Sequence, residues 1–202
     1  MEKNVDKFLA DLASSAPTPG GGGAAALCGA LAIALGNMVG NLTLGKKKYA
    51  DVQEDIIALN AKAEALRHDF TALIDADAEA FAPLSRAYSI PKDDPNRTQI
   101  MEIALKRAAE PPLEIMRRSA EALDVIVEYA AKGSALAISD AGCAAALAIA
   151  IMKSATLNVR INTKSMTDRE AADKMNAETD ELLAKYGETA EEIYKSVAGR
   201  LS

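Results

Sequence analysis

The stretch Ala24-Ala25-Ala26-Leu27-Cys28-Gly29-Ala30-Leu31-Ala32-Ile33-Ala34-Leu35-Gly36-Asn37-Met38-Val39-Gly40-Asn41-Leu42-Thr43-Leu44 carries no charge, and its reading decides the fold. A length of about 20 residues would suit a membrane span. Its small side chains, its glycines and its lack of long aliphatic runs indicate instead a central helix buried on all sides in a soluble bundle. A second Ala-rich helix, Ala141 to about Asn162, is opened by Ser139-Asp140. Alanine supplies roughly a fifth of the chain, well above ordinary usage. Trp is absent and aromatics make up 4% of the 202 residues. Alanine favours helix and lets helices approach closely. The composition therefore predicts an all-α fold, a multi-helix bundle with two Ala-rich buried core helices, forming one domain over residues 1–202.

Outward from that core, Val5 to Leu12 is a short helix with Phe8, Leu9 and Leu12 on one face. Pro17-Thr18-Pro19-Gly20-Gly21-Gly22-Gly23 is expected to be an irregular loop. A long helix runs from Asp51 to about Ser89, kinked near Pro83. Pro91 to Pro95 is a break, and another helix covers Arg97 to Glu110. Pro111-Pro112 interrupts it and opens the next, which reaches Ala131. Lys132-Gly133-Ser134 is a turn, and a final amphipathic helix from Thr167 to Leu201 is interrupted at Gly187. No strand period occurs.

Net charge is −6 at pH 7, which disfavours a broad nucleic-acid surface, since phosphate binding needs a concentrated basic face. Met1-Glu2-Lys3-Asn4-Val5-Asp6 lacks the basic-then-apolar order of a signal peptide. A cytoplasmic protein is expected, with Cys28 and Cys143 as buried, inert thiols. His68, the one histidine, falls on the polar side of its helix with Glu64 and Asp75. No metal site is expected from this donor set, and no nucleophile has a histidine base.

The acids are more informative. On a 3.6-residue period the long helix shows an apolar stripe of Phe70, Leu73/Ile74, Asp77, Phe81, Leu84 and Tyr88. Asp77 stands where the pattern calls for Leu, whereas Asp75 and Glu79 lie off the stripe. A core-facing carboxylate is either hydrogen-bonded to a neighbouring helix or a general acid/base with a perturbed pKa. The glycine loop precedes a helix N-terminus, where free N–H groups suit an anion or developing negative charge. Close helix packing explains the same glycines equally well. Lys46-Lys47-Lys48, at the other end of that helix, can bind a polyanionic tail or simply be solvated. Asn158 and Asn162 share one face of the second Ala-rich helix, as heterocycle-binding amides or as interhelical hydrogen bonds.

Together, Ala16-Pro17-Thr18-Pro19-Gly20-Gly21-Gly22, Met38 to Tyr49 and Asp75-Ala76-Asp77-Ala78-Glu79-Ala80-Phe81 resemble the formiminotetrahydrofolate cyclodeaminase/methenyltetrahydrofolate cyclohydrolase family. Ser139-Asp140 and Asn158-Val159-Arg160-Ile161-Asn162 continue the match in order. The chain looks most like the stand-alone bacterial cyclohydrolase type. The resemblance implies an all-α, homodimeric or higher homo-oligomeric folate enzyme with no cofactor and no metal, acting on a small folate and not on nucleic acid or membrane. It places the catalytic aspartate at Asp77. It assigns substrate binding to Pro19, Gly20, Gly21, Gly22, Asp140, Asn158 and Asn162 around the pterin and reacting carbon, and to Lys46, Lys47 and Lys48 at the glutamate tail. Gly133-Ser134 and Gly23 depart from the family pattern of Gly-Asn and Ser. The implied reaction is reversible hydrolysis of 5,10-methenyltetrahydrofolate to 10-formyltetrahydrofolate; the alternatives are formiminotetrahydrofolate cyclodeamination and a non-catalytic folate binder. Because the glycines and lysines flank one helix about 30 Å long at 1.5 Å per residue, a single folate meets both only where two chains pack antiparallel.

Overall fold

A computed structural model describes residues 5–201; Met1 to Asn4 of the N-terminal stretch without a signal-peptide pattern lie outside them. Among the described residues there are six α-helices and no strand: α1 Val5–Leu12, α2 Gly21–Asn41, α3 Gln53–Ala87, α4 Arg97–Lys132, α5 Ile138–Thr163 and α6 Arg169–Leu201. Short 3-10 turns, Lys47–Val52 and Ala135–Ala137, precede α3 and α5.

The two Ala-rich helices, α2 and α5, pack against each other at the centre, with α3 and α4 covering them and α6 running along α5. Alanine and glycine permit this. The fully buried Phe70 of α3 lies against Gly29, where a Cβ would overlap its ring. Gly21 meets Asn158, and the Ser134 amide, just before α5, donates to Thr43 Oγ1 just after α2. These two contacts make α2 and α5 antiparallel. A smaller apolar cluster of Leu84, Ala87, Ala104, Leu105, Ala108, Met166 and Ala172 closes the end of the bundle beyond Asp77.

Several expectations are corrected. Neither Ala-rich helix is buried on all sides: α2 exposes Leu31 and Met38, and α5 exposes Leu157 and Ile161. Both helices are long and apolar enough to cross a membrane, but half of each apolar window is buried inside the fold. Three glycines expected in the loop, Gly21, Gly22 and Gly23, form the first turn of α2. Helix α6 continues through Gly187, whose absent Cβ would make only an ordinary contact with Leu183. Cys143 is exposed and Cys28 half-buried. Leu9 is exposed, and Tyr88, one residue past the end of α3, has turned out to solvent.

The largest correction is α4, which runs unbroken through Pro111-Pro112. A proline inside a helix removes the N–H that would bond to the carbonyl four residues earlier, at a cost of about 3 kcal/mol. Pro112 thereby orphans the carbonyl of Ala108. The Asn162 side chain of α5 supplies the missing donor: its Nδ2 bonds Ala108 O at 3.2 Å and Asn158 O at 2.9 Å. Asn162 is buried, and the Nδ2 of its amide is engaged in mending a neighbouring helix. Asn162→Leu should destabilise the protein by about 1–3 kcal/mol, the cost of an unsatisfied buried carbonyl. In a Pro112→Ala background, where the helix recovers its own N–H, that penalty should shrink by about 1 kcal/mol. Urea denaturation of the four proteins checks this, and an equal penalty in both backgrounds would refute it.

Candidate active site

Helix α2 begins without a side-chain cap of its own. Its N-cap is Gly20, with extended backbone (φ −126°, ψ −157°). A helix start leaves N–H groups without intrahelical partners and carries partial positive charge. One of these groups, the Gly23 amide, donates to Asp77 Oδ2 at 3.0 Å. The carboxylate on α3 thus caps α2 from across the interface. A Cβ on Gly22 would overlap the Asp77 carboxyl, and one on Gly21 would lie 2.8 Å from Asn158 Oδ1. Glycine at both positions is therefore a condition for the two polar side chains to approach. The Thr18–Pro19 peptide is cis, and Pro19 lies beside Gly23. Asn158 is half-buried and anchored by its Nδ2 to Ser154 O at 2.8 Å.

Asp77 is half-buried. Burial raises its pKa above the ordinary 3.8, and the Gly23 hydrogen bond offsets part of that rise. The burial effect is the larger of the two. With Oδ2 engaged by Gly23, Oδ1 lies against Gly22.

A second polar cluster occupies the opposite end of α2. Gly45, at φ 72°, turns the chain out of the helix, and Lys46, Lys47 and Lys48 follow, all exposed. Lys46 Nζ donates to Ser134 Oγ at 3.2 Å. The Tyr49 hydroxyl accepts from the Ala135 amide at 2.9 Å, and this bond, with the nearby lysines, lowers the phenol's pKa. Asp140, in the first turn of α5, belongs to this end. It stands about 27 Å along the helix from Asn158.

Three comparisons with known proteins bear on this arrangement. Residues 4–181 match the family described as formiminotransferase-cyclodeaminase. The chain belongs to that family. It is 43% identical, over 99% of its own length and 98% of the relative's, to a methenyltetrahydrofolate cyclohydrolase of Methylorubrum extorquens. It is 29% identical to the formimidoyltransferase-cyclodeaminase of Rattus norvegicus, covering 99% of this chain and 38% of that larger protein. Its fold superposes with a TM-score of 0.92 on a formiminotetrahydrofolate cyclodeaminase from Thermotoga maritima, at 29% identity and covering 100% of this chain and 98% of that one.

Within this member of the cyclodeaminase family, the residues singled out in the sequence fall into two groups. Pro19, Gly20, Gly21, Gly22, Asp77 and Asn158 lie together. Lys46, Lys47, Lys48 and Asp140 lie at the far end, so Asp140 does not join the Asp77 cluster within one chain. Asn162 is occupied with Ala108. Sequence reasoning missed Thr43, Gln53 and Ser134, whose hydrogen bonds fix the lysine end; Gln53 opens α3 on its polar side and gives no periodic signal.

The raised pKa of Asp77 has a consequence for stability. A carboxyl that holds its proton more tightly when folded than when unfolded favours the folded state fully below 3.8. That advantage is lost as pH rises through the raised folded value. Asp77→Asn keeps an acceptor for Gly23 and removes the buried charge. The variant should therefore melt above the parent at about pH 8, with the difference vanishing near about pH 3. Thermal melts across that range check the sign; a difference independent of pH would contradict it.

Proposed function

We propose that the chain is a cytoplasmic folate one-carbon enzyme catalysing the reversible hydrolysis of 5,10-methenyltetrahydrofolate to 10-formyltetrahydrofolate, with Asp77 as its acid/base residue. The observation that carries this reading is the half-buried Asp77 carboxyl, raised in pKa and gripped through one oxygen by the α2 N-terminus. The full-length similarity to a cyclohydrolase supports it. The substrate cation is spread over N5, the bridging carbon and N10. Ionised Asp77 takes a proton from water through Oδ1 as the oxygen bonds to that carbon. Asp77 then gives that proton to N5; as the carbon–N5 bond breaks, the hydroxyl oxygen forms the carbonyl and its remaining proton passes to solvent, leaving the one-carbon unit on N10 as a formyl group. A raised pKa favours return of the proton to N5, and such a group contributes about 10²–10⁴-fold. Asn158 and the Gly20–Gly22 backbone hold the ring, and no metal or cofactor enters the scheme.

Cyclodeamination, in which N10 attacks a formimino carbon and ammonia leaves, needs the same proton shuttle; the likeness to the Thermotoga maritima cyclodeaminase favours it as the second reading. Absorbance assays with 5,10-methenyl- and 5-formiminotetrahydrofolate separate the two. Asp77→Asn should lower kcat on the preferred substrate by at least about 10²-fold with the fold intact. Near-normal turnover would remove Asp77 from the mechanism.

The chain works as a homodimer in this reading. Leu31, Met38, Leu42, Leu136, Leu157 and Ile161 leave an apolar stripe along the antiparallel α2–α5 pair, with exposures from 41% to 92%. A second copy related by a two-fold axis covers that stripe with its own. It also brings the lysine end and Asp140 of each subunit to the Asp77 of the other, where the lysines meet the folate's glutamate tail. Replacing Lys46 and Lys47 with Met should raise KM more than it lowers kcat, increasingly so with longer tails and less at high salt. Mixing this variant with Asp77→Asn, after dissociation and reassociation, should restore a population of sites with the parental KM. Recovery of only high-KM sites would place lysines and aspartate in one chain.

A further inference from the structure

The lysine run is bracketed by a single neutral side chain. Gln53, half-buried in the first turn of α3, makes three hydrogen bonds to backbone groups on both sides of Lys46-Lys47-Lys48. Its Oε1 accepts from the Gly45 amide at 2.8 Å. Its Nε2 donates to Thr43 O at 3.3 Å and to Tyr49 O at 2.8 Å. The side-chain amide has two donor hydrogens and an acceptor, and both of its ends are engaged on this one segment.

That segment has reason to spread if left alone. It leaves α2 through a left-handed glycine, carries three adjacent like charges, and exposes all three lysines. A second set of bonds closes it from the α4–α5 side: the Ser134 amide to Thr43 Oγ1 at 2.8 Å, Lys46 Nζ to Ser134 Oγ, and the Ala135 amide to the Tyr49 hydroxyl. Thr43, buried, is further tied to Val39 O at 2.7 Å. Gln53 contributes three bonds to the backbone on either side of the run, and it contributes them without a charge that would compete with a carboxylate ligand.

We infer that Gln53 is a positioning residue for recognition of the folate's glutamate tail, holding the Gly45–Tyr49 turn so that the lysine ammonium groups are set before the ligand arrives. This rests on the proposal that the lysines bind the tail. Ordering such a turn in advance removes an entropic cost that binding would otherwise bear. The benefit scales with the number of tail carboxylates engaged and is absent from the chemical step. The signature is therefore a selective loss of affinity for long tails.

The test uses the intact protein with Gln53→Met, which keeps length and loses all three bonds, and Gln53→Asn, which stays neutral and polar but is one methylene too short to hold both sides of the run. KM for the triglutamate substrate should rise about five- to tenfold and KM for the monoglutamate less than about twofold, with kcat changing less than the triglutamate KM. If the Met variant fails to fold, the Asn variant carries the same expectation. An equal rise for both tail lengths, a fall in kcat matching that in kcat/KM, or unchanged constants would each overturn the assignment. The Lys46/Lys47 variant, measured in parallel, separates the two ideas. Parental KM in that variant removes the tail reading and Gln53's role with it. Raised KM there with parental KM in both Gln53 variants overturns Gln53 alone.

Discussion

The bond from the Gly23 amide to Asp77 is the constraint around which the rest is arranged. It joins the uncapped start of α2 to a carboxylate on α3, and it can form only because Gly21 and Gly22 present bare backbone to Asn158 and Asp77. A Cβ at either position would displace the Asn158 or Asp77 side chain and disrupt this approach. The same carboxylate thus completes a helix and sits where chemistry can use it. Burial works against its charge while the helix terminus works for it, and burial, the larger effect, raises its pKa.

Much of this was visible in the chain before the fold. The apolar stripe of α3 isolates Asp77 because a carboxylate at a position meant for Leu needs a partner, and the partner is where a glycine-rich helix start would supply one. Both Ala-rich helices are also legible, since no other structure buries so much alanine so closely. What was not legible depends on tertiary substitution of local rules. The glycines belong to a helix, not a loop, because a carboxylate from elsewhere caps it. The proline pair fails to break α4 because an amide on α5 replaces a lost donor. Asn162, singled out by type and spacing, gives its amide donor to that repair. Asp140 sits in a suggestive motif, yet antiparallel packing of α2 and α5 carries it to the other end of the molecule. None of these outcomes has a signature within a few residues of the position concerned.

The division into two polar ends gives the molecule its functional grammar. In the proposed function, proton transfer belongs to the glycine end, where backbone and a single carboxyl do the work. Charge and reach are assigned to the lysine end, where a turn is braced from α3 on one side and from the α4–α5 connection on the other. In the proposed homodimer, the apolar stripe between them is the surface on which a second chain undoes the separation.

The repair of α4 by Asn162 also imposes an order on how this sequence can change over generations. Starting from the present pair, loss of the asparagine strands a carbonyl inside the protein and is penalised at once. Conversion of Pro112 to a residue with an N–H gives that carbonyl a local partner and makes the asparagine dispensable. One route between the two states descends through a damaged intermediate and the other does not. Two positions on different helices, fifty residues apart in sequence, are in this sense a single heritable character with a preferred direction of drift.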